Sequence, residues 1–173
     1  MEKCTPEERL FCARHEATHV LFTVILEGWL QTVGIPRLNG NHPKNLRHRG
    51  KHNSPMAYVD CNHINPGLNG FMCLVGYSFE KLYGDPDRAL WDYEDAEESI
   101  DEGSFAEAEK LAMALVRYLE HEINIVADQL VAKAKKDGVI EGRKLQAIEK
   151  IIRNHMGFEM LLIRQQIKRC CET

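Results

Sequence analysis

The chain has 173 residues, with 22 Lys+Arg against 26 Asp+Glu and a formal net charge of −4 with neutral histidine. That length fits one domain of ordinary size, and the slightly acidic balance argues against a general nucleic-acid binder. With 44% hydrophobic and 28% charged residues, a disordered chain is excluded as well.

The N-terminus, Met1-Glu2-Lys3-Cys4, lacks the layout of a signal peptide. Thr5-Pro6-Glu7-Glu8 is a capping box with proline at the first helical position. Apolar residues follow at Leu10, Phe11, Ala17, Val20, Leu21, Val24 and Ile25, and Gly28 closes the run. This pattern predicts a long, largely buried helix. The apolar stretch Val20 to Leu30 is broken by Glu27 and falls short of the about 20 residues a bilayer span needs. Leu30 to Pro36 reads as a short strand, with Pro36 putting its end at a sheet edge.

Residues 37–54 carry Arg37, Lys44, Arg47, Arg49 and Lys51, with His42, His48 and His52 and no acid. They read as a solvated basic loop rather than a second metal site or a polyanion contact. Met56 to Asp60 suggests a second strand, and Asn65-Pro66-Gly67 opens a helix that ends at Gly84.

From Asp85 to Glu109 the chain holds eleven carboxylates, with only Arg88 and Lys110 against them. A helix opens at Asp85-Pro86 or Leu90-Trp91 and runs to about Asp101, with Trp91 expected to pack on the first helix. Ser104-Phe105-Ala106-Glu107 forms a second capping box. It predicts one long helix carrying Leu111, Leu115, Tyr118, Leu119, Ile123, Val126, Leu130 and Val131, stopped by Asp137-Gly138. Two shorter helices follow, roughly 142–154 and 158–170. The apolar stripe Phe158, Leu161, Leu162, Ile163 and Ile167 is expected to join the core, with a homo-oligomer face as the other use.

No repeat or linker divides the chain, so residues 1–173 are expected to form a single, mainly α (α+β) domain with a small β-sheet or hairpin beside the first helix. The six cysteines, at 4, 12, 61, 73, 170 and 171, show no framework spacing and read as reduced thiols of a cytoplasmic protein.

The chemistry concentrates in the first helix, at His15-Glu16-Ala17-Thr18-His19, an H-E-x-x-H motif. Spacing i, i+4 puts both imidazoles on one helix face, where both can bind a single Zn²⁺. Glu16 projects about 100° away. From there it can serve as general base to a zinc-activated water, the arrangement that hydrolyses a peptide bond. A catalytic zinc needs a third protein ligand and one open position. Val20-Leu21-Phe22 excludes a third histidine at short spacing, and no acid lies between Glu27 and Asp60. Spacing leaves His42, His48, His52, Asp60, His63, Glu80 and the acidic segment as candidates. Cys61 and His63 lack a second pair nearby to build a site of their own.

Ala13-Arg14-His15-Glu16-Ala17-Thr18-His19-Val20 resembles the zinc-helix motif (HEAGH) of the FtsH-like ATP-dependent zinc metalloproteases. Val33-Gly34-Ile35-Pro36-Arg37 resembles the family's Ile-Pro-Arg strand, and Leu74-Val75-Gly76 to Glu80-Lys81-Leu82-Tyr83-Gly84 its Gly-Gly-Arg-Ala-Ala-Glu-Glu helix. Asp92-Tyr93-Glu94-Asp95-Ala96-Glu97-Glu98 is similar to its Asn-Asp-Ile-Glu-Arg-Ala-Thr-Glu segment, and Leu119 to Leu145 to its C-terminal helix and Leu-Asp-Gly-Glu turn. The resemblance covers about residues 8 to 146 and leaves 147–173 as extra C-terminal helices. It implies a zincin-like peptidase fold acting on a peptide or unfolded-protein substrate, Asp92 as third zinc ligand, and Glu80 on a family glutamate. Glu80 is expected either to orient a zinc-bound histidine or to be a surface charge, and the edge strand near Val33 and Ile35 to hold the substrate backbone by strand addition.

The chain departs from the family at Thr18 and Leu38, where the family has glycine, and at Val75-Gly76-Tyr77, where it has Gly-Gly-Arg. No G-x-x-x-x-G-K-[ST] loop occurs in these residues, so ATP-driven unfolding would need a separate ATPase partner. A non-catalytic scaffold and a different cytoplasmic H-E-x-x-H regulatory peptidase are the competing expectations.

Overall fold

The structure, a computed structural model, describes residues 4–37, 58–62, 65–134 and 138–171, with 58–62 described by backbone only. Among them the fold is mainly helical with one small antiparallel sheet. His42, His48, His52 and His63, with nearly all of the basic loop, lie outside the described residues, as do the side chains of Asp60 and Cys61 and the whole of Asp137.

The first helix, α1 (Pro6–Ile25), is opened by the expected capping box. The Thr5 hydroxyl accepts the Glu8 N–H at 3.1 Å, and the Glu8 carboxylate accepts the Thr5 N–H at 2.7 Å. Every residue from Glu16 to Ile25 is buried, so this half of α1 is wrapped on all sides. Two polar residues survive there because their hydroxyls bond backbone carbonyls one turn back: Thr18 to Arg14 at 2.9 Å and Thr23 to His19 at 2.7 Å.

Strand β1 (Trp29–Gly34) follows, and β2 (Tyr58–Asn62) pairs antiparallel to it, with a bulge between Leu30 and Thr32. A third strand, β3 (Val139–Glu141), which the sequence pattern did not suggest, pairs antiparallel on the other side. The order is β2-β1-β3, so β1 is the central strand and not an edge. Val33 pairs with Val59 on one side and Ile140 on the other, and the Ile35 N–H bonds the Gly138 carbonyl at 2.9 Å. The expected strand addition at Val33 and Ile35 is therefore corrected: both are buried, and their stretch of backbone is already flanked. Gly138 makes the approach possible. Its φ is +83°, and a Cβ there would meet the Ile35 carbonyl oxygen at 2.2 Å.

Helix α2 (Pro66–Tyr83) is N-capped by the Asn65 side chain and ends at Gly84, as expected. A short 3₁₀ turn, Pro86–Ala89, capped by Asp85, leads into α3 (Leu90–Ser99). Next come α4 (Glu102–Tyr118) and α5 (Glu120–Lys133), not one long helix. The chain breaks at Leu119, whose ψ of 18° leaves the helical range and lets α4 pack on α2 while α5 packs on α1. The second capping box is also corrected. Ser104 lies inside α4, its N–H bonded to the Asp101 carbonyl at 2.8 Å, and Asp101 is the N-cap residue.

Helices α6 (Arg143–Met156) and α7 (Glu159–Cys171) complete the fold close to their expected bounds. The apolar stripe of α7 divides: Ile163 and Ile167 are buried, while Phe158, Leu161 and Leu162 are exposed. Arg164 ties α7 to the end of α1, with its Nε donating to the Ile25 carbonyl at 2.6 Å and its Nη1 2.7 Å from Glu27. Glu27 turns the chain there in the left-handed region, φ 59°. Cys4, Cys12, Cys73, Cys170 and Cys171 form no disulfide. No helix among the described residues is long and apolar enough to cross a membrane.

Candidate metal centre

The two motif histidines lie on the inner face of α1, between α2 and α3. His15 and His19 point their Nε2 atoms at each other, 3.2 Å apart. Asp92, in the first turn of α3, closes the triangle with Oδ2 at 3.5 Å from both Nε2 atoms. These three are the residues among those described whose His, Cys, Asp or Glu donor atoms converge closely enough to hold a metal ion. A tetrahedral ion about 2.0–2.2 Å from each donor requires donor–donor edges of about 3.3–3.6 Å. The edges observed match that requirement with little adjustment.

Each imidazole is held from behind. His19 Nδ1 lies 2.9 Å from the Met72 carbonyl oxygen, an acceptor only, so Nδ1 carries the proton and Nε2 is left as the donor atom toward a metal. His15 Nδ1 lies 3.2 Å from Oε1 of Glu80, at ion-pair distance without the alignment of a full hydrogen bond. Glu80 is buried, and its other oxygen accepts the Asp85 N–H at 3.2 Å. The Phe79 ring stands edge-on to His15 at 6.1 Å and walls that side.

Asp92 is delivered by the packing of α3 on α2. Tyr77 of α2 stacks on Tyr93 at 4.7 Å, and Tyr93 meets Phe105 of α4 at 5.3 Å. Buried Ala96, four residues on, shares the inward face of α3 with Asp92, and buried Ala89 ends the 3₁₀ turn just before it. Trp91 does not pack as expected. It is 45% exposed, beside Asp92 on the outer flank.

Glycine makes the site's tightest approach. A Cβ on Gly76 would lie 2.3 Å from His19 Nε2 and 2.9 Å from Asp92 Oδ2, so the donor atoms fill the space a side chain would take. Gly76 and the Met72 carbonyl are the participants the sequence reading missed. A glycine in mid-helix reads as a tolerated weakness, and a backbone carbonyl leaves no signature in residue type. Three glycines (Gly67, Gly70 and Gly76) on the apolar helix that follows a zinc motif are the only available signal.

The electrostatics follow from this crowding. Burial alone would push the His15 imidazolium down, but the Asp92 and Glu80 carboxylates override it and raise His15 well above its ordinary range. Burial would raise Asp92, yet His19 and His15 hold its carboxyl well below the usual range. Glu16, buried and without an ion-pair partner of its own among the described contacts, is pushed by burial up to about 7. The imidazoles of His15 and His19 pull it back only in part.

No family model, curated protein or solved structure matches the chain.

Proposed function

We propose that this chain is a zinc-dependent metalloendopeptidase of zincin-like arrangement, akin to the peptidase domain of the FtsH-like ATP-dependent zinc metalloproteases. The observation that carries this reading is the convergence of His15, His19 and Asp92 at tetrahedral edge lengths. Two imidazole nitrogens and a carboxylate oxygen are a donor set suited to Zn²⁺, and three protein ligands leave a fourth position for catalysis.

Held by His15, His19 and Asp92, zinc would supply Lewis acidity to polarise a carbonyl and acidify water at the open position. The remaining work falls to side chains. The Met72 carbonyl fixes the Nδ1 proton of His19, and the Glu80 carboxylate stands 3.2 Å behind His15 Nδ1, so that both Nε2 atoms are turned toward the point where an ion would be held. Glu16 sits between the ligands in sequence and is buried beside them. A carboxylate there would take a proton from water and return it to the leaving amine nitrogen.

The proposed substrate is a flexible or unfolded polypeptide, since these residues hold no P-loop to power unfolding and a folded substrate would need a separate ATPase partner. Nucleic acid is not a proposed partner, and a cytoplasmic setting is proposed from the cysteine usage. With β1 covered on both sides, substrate backbone would have to add to the outer edge of β2 or β3. One observation favours a second reading, a non-catalytic scaffold: His15 and Asp92 lie at ion-pair distance, 3.5 Å, without a metal.

Hydrolysis of unstructured casein by the zinc-loaded protein tests the proposal. Glu16→Ala should lower the rate by at least about 100-fold, the scale of general-base loss, while zinc content is retained. Unchanged hydrolysis in Glu16→Ala would refute the mechanism, and no hydrolysis in the wild type would leave the scaffold.

A further inference from the structure

The contacts that α2 makes with the motif histidines recur every fourth residue. The Met72 carbonyl receives His19 Nδ1. Gly76 faces His19 Nε2 and Asp92 Oδ2. Glu80 faces His15 Nδ1, and a Cβ on Gly84 would fall 2.3 Å from Glu80 Oε2 and 2.4 Å from Phe11 Cζ. Residues four apart stack along one face of a helix, and that face of α2 runs against α1.

The glycine at 76 has a particular consequence. In an α-helix the carbonyl of residue i points toward residue i+4, so the side chain of residue 76 would shield the carbonyl of residue 72 from a lateral donor. Without a side chain, the Met72 carbonyl stays open to His19, and the imidazole occupies the space a Gly76 side chain would take. A methyl group there cannot coexist with an imidazole nitrogen at 2.3 Å. The ring would have to swing out, losing both the Met72 contact and the convergence with His15 and Asp92.

We propose that Gly76 is the positioning residue of this site, and that the stripe Met72, Gly76 and Glu80 on α2 is the template that aims both imidazoles at one point. Gly76 touches no substrate in this account; it acts through His19 and Asp92. The inference rests on the metal-site reading for its functional meaning, but its geometric claim can be tested without metal.

The test is a pair of measurements on the full chain. In the first, unfolding midpoints are compared without metal for Gly76→Ala, His19→Ala and the double variant. Gly76→Ala should lower the midpoint in the wild-type background. It should lower it much less once His19 is alanine, because only the 2.9 Å approach to the carboxylate tip of Asp92 then remains and alanine is otherwise the better helix former. Gly103→Ala on α4, where a Cβ meets nothing within 4 Å, is the neutral control.

In the second, Co²⁺ is titrated and its visible absorption followed. Gly76→Ala should bind at least 100-fold more weakly, with loss of the tetrahedral band. Gly70→Ala, whose Cβ would strike Ile100 and Ser99 rather than the site, should lower stability yet keep the wild-type spectrum in the folded protein. An equal stability penalty in both backgrounds, or wild-type cobalt affinity in Gly76→Ala, would overturn the proposal. If the wild type takes up no cobalt, the metal-site reading fails, and the stability cycle alone decides the role of Gly76.

Discussion

Glu80 Oε1 lies 3.2 Å from His15 Nδ1, while the same carboxylate accepts the Asp85 N–H with its other oxygen. One buried acid thus joins the motif histidine to the turn that delivers α3, and with it Asp92. Removing the charge but not the shape separates these roles. Glu80→Gln should keep the fold and weaken zinc binding by about 10- to 100-fold, the usual cost of losing a histidine's supporting carboxylate. Competition with a chromophoric chelator measures this, and unchanged affinity would make Glu80 a purely structural acid.

The raised His15 predicts how binding depends on pH. A group whose folded pKa lies above its unfolded value stabilises the protein fully below the unfolded value, about 6.5, and loses that contribution as pH rises through the folded one. Asp92, lowered, works in the opposite sense: its contribution is present above about 3.9 and lost as pH falls through its folded value. The metal-free protein is therefore held by the His15–Asp92 pair between these limits. Zinc must displace the His15 proton, so its affinity should rise about tenfold per pH unit from pH 6 to 7. Calorimetry in buffers of different ionisation enthalpy should show net proton release on binding. A flat affinity profile over that range would mean that His15 is already neutral.

Arg164 makes a separate prediction, about stability alone. Its guanidinium is nearly buried and satisfies the Ile25 carbonyl at the end of α1. Arg164→Ala leaves that carbonyl unpaired and should cost about 1–3 kcal/mol in urea unfolding. Zinc content per folded chain should stay the same, because Ile25 lies six residues, about 9 Å of helix, beyond His19. A change within about 0.5 kcal/mol, the range of ordinary surface substitutions, would place the restraint on α1 elsewhere.

What could be read in advance was whatever local chemistry dictates. Thr5 and Glu8 announce α1, Asn65-Pro66 announces α2, and the i, i+4 spacing of His15 and His19 puts both rings on one face before any packing is known. Asp92 was out of reach of spacing and entered only through the resemblance of its segment. The structure brings its carboxylate to both imidazoles because Tyr77, Tyr93 and Phe105 seat α3. Other features depend on tertiary context. Leu119 continues the apolar period of its neighbours, so the break there has no local cause and follows from α4 and α5 packing on different partners. Three-residue β3 is too short to show alternation, and without it β1 reads as an edge. Gly76 reads as a helix weakness until His19 is seen lying across it.

Zinc per chain, measured by elemental analysis of purified wild type and Asp92→Ala, tests the central claim most directly. The convergence of His15, His19 and Asp92 predicts about one zinc per wild-type chain and loss or marked weakening in the variant, with α-helical content preserved. No zinc in the wild type after dialysis against the metal, or equal loading in Asp92→Ala, would contradict the three-ligand centre and the peptidase proposed from it.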